Sequence, residues 1–146
     1  MILIAHRGNQ WGPDPRENQP QYIAQCIADG IHAEIDVWCI NNKWFLGHDE
    51  PIYQINYEFL TMPNLWLHCK NYAALYNLIA TDLNYFWHQS DDYALTAHGY
   101  IWAYPNKVGR NNTIAVMPET GSLVNSELEE FEGICSDFPH RYGSYR

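Results

Sequence analysis

At 146 residues, 47% of them apolar and 15% aromatic, the chain is long enough to bury one substantial core and too short for two ordinary domains. Seventeen acidic against eight basic residues leave a net charge of -9, which excludes a general nucleic-acid binder or a protein held to an anionic membrane by charge. A single domain spanning 1–146 is expected, with any phosphate site confined to a local basic spot.

Ile2 to Ala5 is the first short apolar run and reads as a strand leading into His6. No charged leader or long apolar stretch accompanies it, so no signal peptide is expected. Between Gln19 and Asp29, residues Ile23, Ala24, Ile27 and Ala28 fall on one helical face, with Asn18 as the expected N-cap, Pro20 in the first turn and Gly30 just past the end. Strands are expected at His32 to Val37, Lys43 to Leu46 and Leu65 to Cys69. Tyr72 to Ala80 carries a second helical stripe, Leu75, Leu78 and Ile79, capped by Asn71. After a strand at Tyr85 to His88, Asp91 to Ala97 reads as a turn or two of helix with Asp91 and Asp92 at its positive end. Strands at Tyr100 to Ala103, Thr113 to Met117 and Gly133 to Cys135 complete the chain, the last preceded by a short helix at Glu127 to Phe131.

No run reaches membrane-spanning length, so no integral membrane segment is expected. Cys26, Cys39, Cys69 and Cys135 are scattered without a CxxC pair and read as buried free thiols of a reducing, cytoplasmic setting.

Apolar strands joined mostly by crossovers favour a parallel sheet, and their number invites closure into a barrel. A full (β/α)8 barrel takes about 250 residues. The expectation is therefore an α/β fold, a minimal TIM-type (β/α)8 barrel with several outer helices missing or shortened. Outer strand faces would be partly uncovered, and some of the six Trp and eleven Tyr are expected to pack there or to form a homo-oligomer contact.

In such a barrel, residues that end strands project into the mouth at one face, and His6, Asp36, His48, Lys70 and His88 all occupy expected strand ends. Glu34 and Asp36 share a strand face about 7 Å apart, close enough for one divalent cation. Two imidazoles, a fixed guanidinium at Arg7 and two carboxylates are the equipment a phosphodiester needs for cleavage. Against each stands a blander reading: Glu34 and Asp36 as solvated edge positions, Lys70 as a surface cation, His88, Gln89 and Trp102 as packing, and Glu17 as a structural partner of the first loop. Packing is the preferred reading of His88, Gln89 and Trp102, and a structural role that of Glu17. His32, His98 and His140 give no functional signal.

Taken together, His6-Arg7-Gly8, Glu17-Asn18, Gly30 through Glu34-Ile35-Asp36-Val37, His48-Asp49 and, more weakly, Gly133-Ile134-Cys135-Ser136-Asp137-Phe138-Pro139 resemble the glycerophosphodiester phosphodiesterase family, within the wider group of phospholipase-C-like phosphodiesterases. The resemblance implies a TIM barrel in which His6 and His48 act as general acid and base, Glu34 and Asp36 bind a divalent cation (Mg, Mn or Ca), and Arg7 and Lys70 hold the phosphate. It implies a small phosphodiester as substrate. The sequence departs from the family at the third metal carboxylate, where His68-Cys69-Lys70 stands in place of Glu-x-Lys. Either His68 ligates, which shifts preference from Ca toward Mn, Zn or Mg-tolerant sites, or another carboxylate such as Glu119 completes the shell, or metal binding and catalysis are weak. The stretch between His48 and Leu65 is also short for the family, so a shallower, more open pocket is expected. The alternatives are a phosphate-ligand binding relative with little catalysis, and a phospholipase-type enzyme forming a cyclic phosphate.

Overall fold

The computed structural model describes residues 1–144. Its elements in chain order are β1 (Ile2–His6), α1 (Pro20–Ala28), β2 (His32–Ile40), β3 (Lys43–Leu46), β4 (Tyr53–Ile55), α2 (Tyr57–Leu60), β5 (Leu65–Cys69), α3 (Tyr72–Leu78), β6 (Tyr85–Phe86), β7 (Tyr93–Leu95), β8 (Ile101–Ala103), β9 (Thr113–Val116), α4 (Asn125–Leu128) and β10 (Gly133–Ser136), with 3-10 turns at Pro118–Thr120 and Pro139–Tyr142.

In the order β6-β5-β2-β1-β10-β9-β8, every neighbouring pair is parallel, as buried strands joined by crossovers require. This run curls on itself. Phe86 and Trp66, from one end of the order, reach Trp102 at the other, with ring centroids 4.7 and 5.8 Å apart. A backbone hydrogen bond from Ala97 N–H to the Tyr85 carbonyl crosses the same seam. The fold is a mixed α/β, barrel-like sheet carrying few helices.

Period-two alternation sorts the side chains. Ile4, Trp66, Phe86, Trp102, Ile114, Val116 and Cys135 fill the inside of the curl. Ala5, Ala33, Ile35, Val37 and Leu67 face outward onto Ile23 and Cys26 of α1 and Ala74 and Leu78 of α3, and Ala115 and Ile134 pack outward on Leu128 and Phe131. Asn71 caps α3 as expected, accepting from Ala74 N–H at 3.1 Å. Between β8 and β9 there is no helix, which leaves Leu95, Ile101 and Val108 exposed on the outside of the sheet. No helix among the described residues is long and apolar enough to cross a membrane. The four cysteines are free and buried.

The chain adds β4 and α2, which were not expected, shortens the expected strand Tyr85 to His88 to β6, and departs from expectation at three further points. Lys43–Leu46 is an antiparallel partner of β2, not a strand of the parallel run, because Asn41 and Asn42 (φ 51° and 62°) form a two-residue hairpin turn of the primed type. The segment Asp91 to Ala97 contains β7 (Tyr93–Leu95), antiparallel to β8, rather than a helix; the backbone of β7 is spent on the ladder, and Asp92 pairs with Lys107 at 3.2 Å. Asn18 is not the N-cap of α1. That position falls to Gln19, while Asn18 adopts φ 61° and turns its amide inward.

Gly133 opens β10 between the backbones of β1 and β9, where a Cβ would stand 2.7 Å from the Ile2 carbonyl oxygen and 2.9 Å from Ile114 Cδ1. Gly133→Ala is expected to lower stability by about 1–3 kcal/mol, the usual cost of overpacking, measured by urea unfolding. An unchanged midpoint would mean that β1 and β9 are not held this closely.

Candidate metal and acid–base site

The site is built on β2. Ile35 and Val37 anchor its outer face in the helix-covered core, so Glu34 and Asp36 are driven into the curl, where they are 2% and 0% exposed. Two carboxylates this buried need partners, and residues far away in the chain supply them. Asn18 clasps Asp36 with both ends of its amide, Nδ2 donating to Oδ2 and Oδ1 accepting from the Asp36 N–H, each at 2.9 Å. The Arg7 N–H donates to Glu34 Oε2 at 3.2 Å, and the Arg7 guanidinium lies 3.5 Å from Asp36 Oδ2. This is possible because Arg7 and Gly8 take left-handed conformations (φ 55° and 85°) directly after β1. Only glycine fits at position 8, since a Cβ would meet Ile23 Cδ1 at 2.7 Å.

His6 ends β1 beside Glu34. Its Nδ1 donates to Asp137 Oδ1 at 2.9 Å, which leaves Nε2 facing the site, 3.9 Å from Glu34 Oε2. Burial works against charging His6, yet Asp137 and Glu34 raise its pKa above the ordinary histidine value. Asp137 moves the other way: burial opposes its charge, and His6 and Asn9 hold the carboxyl below the ordinary range. Asn9, fully buried, donates to Asp137 at 2.8 Å and to Glu17 at 3.1 Å. Glu17 also accepts from Arg7 Nη1 at 2.9 Å, the structural role expected of it. His48, in the loop after β3, places Nδ1 3.5 Å from Asp36 Oδ2 and is 40% exposed. The neighbouring Gly47 carbonyl accepts from the Trp38 indole at 2.7 Å, which fixes that loop against β2.

His68 stands beside Asp36 in the β2–β5 register, with Nδ1 3.2 Å from Asp36 Oδ1 and 3.7 Å from Glu34 Oε1. Burial lowers its pKa, but the two carboxylates outweigh that and raise it to about 9. Asp36 shows the reciprocal effect: although burial raises its pKa, the nearby His48 and His68 rings and the hydrogen-bonded Asn18 amide drive the carboxyl well below its ordinary range. Ligand atoms of Glu34, Asp36 and His68 all lie within 4.8 Å of one another, and Asp36 Oδ1 is buried with no hydrogen-bond partner. Two hard oxygens and one imidazole nitrogen, converging with one lone pair unspent, fit a divalent cation.

These residues share one cavity of about 290 Å³ lined by His6, Arg7, Glu34, Asp36, His48 and His68 on one side and by His88, Trp102, Tyr104 and Met117 on the other. It is at the small end of ligand pockets. Two expected members lie elsewhere. Lys70 follows β5, where its N–H donates to the Val37 carbonyl at 2.8 Å, and its side chain is outside the cavity lining. Glu119 is outside the trio able to hold a metal: its Oε1 accepts from the Ser136 hydroxyl at 2.9 Å and from the Asp137 N–H at 3.0 Å, bracing the strand end that carries Asp137. His88, read from the sequence as packing, is buried in the cavity wall with neither ring nitrogen hydrogen-bonded, and burial, the His68 charge and Lys70 lower its pKa to about 4.

Asp137, Asn9 and Asn18 are the residues that sequence reasoning did not place. The signal for Asp137 was its position just past β10, akin to that of His6 at the end of β1; Asp36, expected at a strand end, lies in the middle of β2, which runs on to Ile40.

Comparison with protein-family models, with curated proteins and with solved structures finds no match. What the fold and the site define is a barrel-like α/β protein with a buried Glu-Asp-His group able to hold a metal ion.

Proposed function

We propose that the protein is a metal-dependent phosphodiesterase acting on a small, glycerophosphodiester-like substrate, on a reduced TIM-type barrel. The observation that carries this reading is the convergence of the His6-Arg7 pair and of His48, from well downstream in the chain, on the buried carboxylates Glu34 and Asp36 in one cavity.

Glu34, Asp36 and His68 would hold a divalent cation, whose charge would stabilise negative charge on the phosphate oxygens. The chain's own groups account for the rest. Arg7 spends Nη1 on Glu17 and lays Nε 3.5 Å from Asp36 Oδ2, and the rest of its planar guanidinium would grip phosphate oxygens. His6, fixed by Asp137 with Nδ1 protonated, exchanges a proton at Nε2. His48, half in solvent, exchanges one with the alcohol or water on the other side of the phosphorus. The small cavity supports a compact substrate, and the four free buried thiols support a reducing, cytoplasmic setting.

The test is turnover of glycerophosphoethanolamine by metal-stripped protein to which Mg, Mn, Ca or Zn is restored, with products read by phosphorus NMR. Hydrolysis to glycerol phosphate that stops with chelator is the expected result. A cyclic phosphate product would instead place the enzyme with the lipid-cleaving phosphodiesterases. Tight binding of the phosphodiester with no cleavage under any of the four metals would overturn the enzymatic reading in favour of a ligand-binding protein.

A further inference from the structure

The third member of the trio decides which ions the site takes. His68 Nε2 lies 3.0 Å from the His88 carbonyl oxygen and donates its proton there, so a metal would take Nδ1, the atom nearest both carboxylates, in exchange for the proton the carboxylates favour there. The ring is also clamped from the side. It stacks on Phe86 with centroids 5.1 Å apart and planes within 10°, and its side chain is 14% exposed. A ring held by its far nitrogen and by its face cannot swing aside to give its place to water.

We propose that Glu34, Asp36 and His68 select borderline transition-metal ions, of the class of Mn, Co and Zn, over Mg and Ca. The inference rests on the metal-holding reading of this trio and not on phosphodiester turnover. Calcium takes about six to eight oxygen ligands, and magnesium demands a near-octahedral shell of about six, drawn from carboxylates, carbonyls and water. Here the other groups around the carboxylates are Arg7, His6 and His48, which bring nitrogens, and Asn18, whose amide oxygen is already spent on the Asp36 N–H. Beyond Glu34 and Asp36, the described residues around this pair offer a hard cation no unspent side-chain oxygen, and the fixed imidazole fills one position with nitrogen. Imidazole suits Zn, Co and Mn, and a ligating histidine whose other nitrogen donates to a backbone carbonyl has its tautomer and orientation set for that purpose. The His88 carbonyl performs this orienting role.

Calorimetric titration of metal-stripped protein with each chloride salt tests the selectivity. Mn, Co and Zn are expected to bind roughly a hundredfold or more tighter than Mg or Ca, and His68→Glu, which restores an all-oxygen set, should shrink that ratio at least roughly tenfold. The cobalt-loaded wild type should show visible absorption bands that shift in the variant. Should His68→Glu fail to fold, histidine-labelled nitrogen NMR decides on the wild type alone: zinc should move the His68 Nδ1 resonance and leave Nε2–H in place. Magnesium or calcium binding as tightly as manganese, no binding of any metal, or zinc leaving Nδ1 unmoved each overturn the proposal. A protein that binds zinc through His68 yet cleaves nothing would remove the phosphodiesterase reading and leave this one standing.

Discussion

His6→Ala and His48→Ala are each expected to lower phosphodiester turnover by about two to four orders of magnitude, the contribution of a positioned acid or base, with little change in melting temperature for the half-exposed His48 and some loss for His6, whose removal strips Asp137 of its ring partner. The reason for separate large losses is that the two rings approach the carboxylates from different sides, His6 Nε2 toward Glu34 and His48 Nδ1 toward Asp36, so neither can take the other's position. Asp137→Asn is the companion test of a positioning residue. An amide facing Nδ1 favours the wrong tautomer and orientation of His6, at a cost on the order of a hundredfold or more in kcat. Because Asp137 is among the groups that raise the His6 pKa, the limb of the pH profile that belongs to His6 should also move to lower pH, which a merely structural role would not produce. Steady-state kinetics across pH, on the wild type and the three variants, reads all of this. Loss of less than about threefold in both histidine variants would take the pair out of the chemistry.

How far the sequence discloses this arrangement differs residue by residue. The β2 carboxylates were legible because Ile35 and Val37 demand burial on one face and strict alternation then fixes the direction of Glu34 and Asp36. His6 and His48 were legible as residues that follow apolar runs. Asn18 was not, since an asparagine just before a Pro-led helix satisfies every local rule for an N-cap; only the three-dimensional approach of β2, 18 residues on, makes its amide more useful to Asp36. Asp137 lies 131 residues from His6, and nothing local announces which strand end becomes its neighbour in a curled sheet. The β7 segment failed for the opposite reason: Tyr93–Leu95 is too short to show a period, and its pairing with β8 overrides local preference. The Asn41-Asn42 hairpin was readable in principle, because two adjacent asparagines tolerate the left-handed conformations that a primed turn needs.

The largest structural penalty should come from Asp36→Ala. It removes the acceptor for Asn18 and the counter-charge for Arg7, His48 and His68 in the interior, and loss of one side of a buried ionic cluster costs about 3–5 kcal/mol. The same cluster predicts a pH dependence in chelator-treated wild type. His68 titrates near 9 in the folded chain against an ordinary value of 6.5, so the protonated ring contributes fully below about pH 6.5 and its contribution fades as pH rises through 9. The corresponding free energy is on the order of 3 kcal/mol, a fall in melting temperature of roughly 5–10 °C between those limits. Asp36 adds a limb of opposite sign: its folded pKa is depressed, so the stability it confers is present above its ordinary carboxylate range and disappears as the solution is acidified through the folded value. His6, raised by Asp137 and Glu34, slopes in the same direction as His68, so the isosteric Asp36→Asn variant is needed to separate them. That variant should start less stable near pH 6 and lose most of the alkaline decline, because Glu34 alone remains to favour the His68 cation. Thermal melts by circular dichroism from pH 5 to 9.5 measure both curves. Parallel curves for wild type and Asp36→Asn would mean that His68 is not held charged against this carboxylate, and the electrostatic account of the buried trio would fail with it.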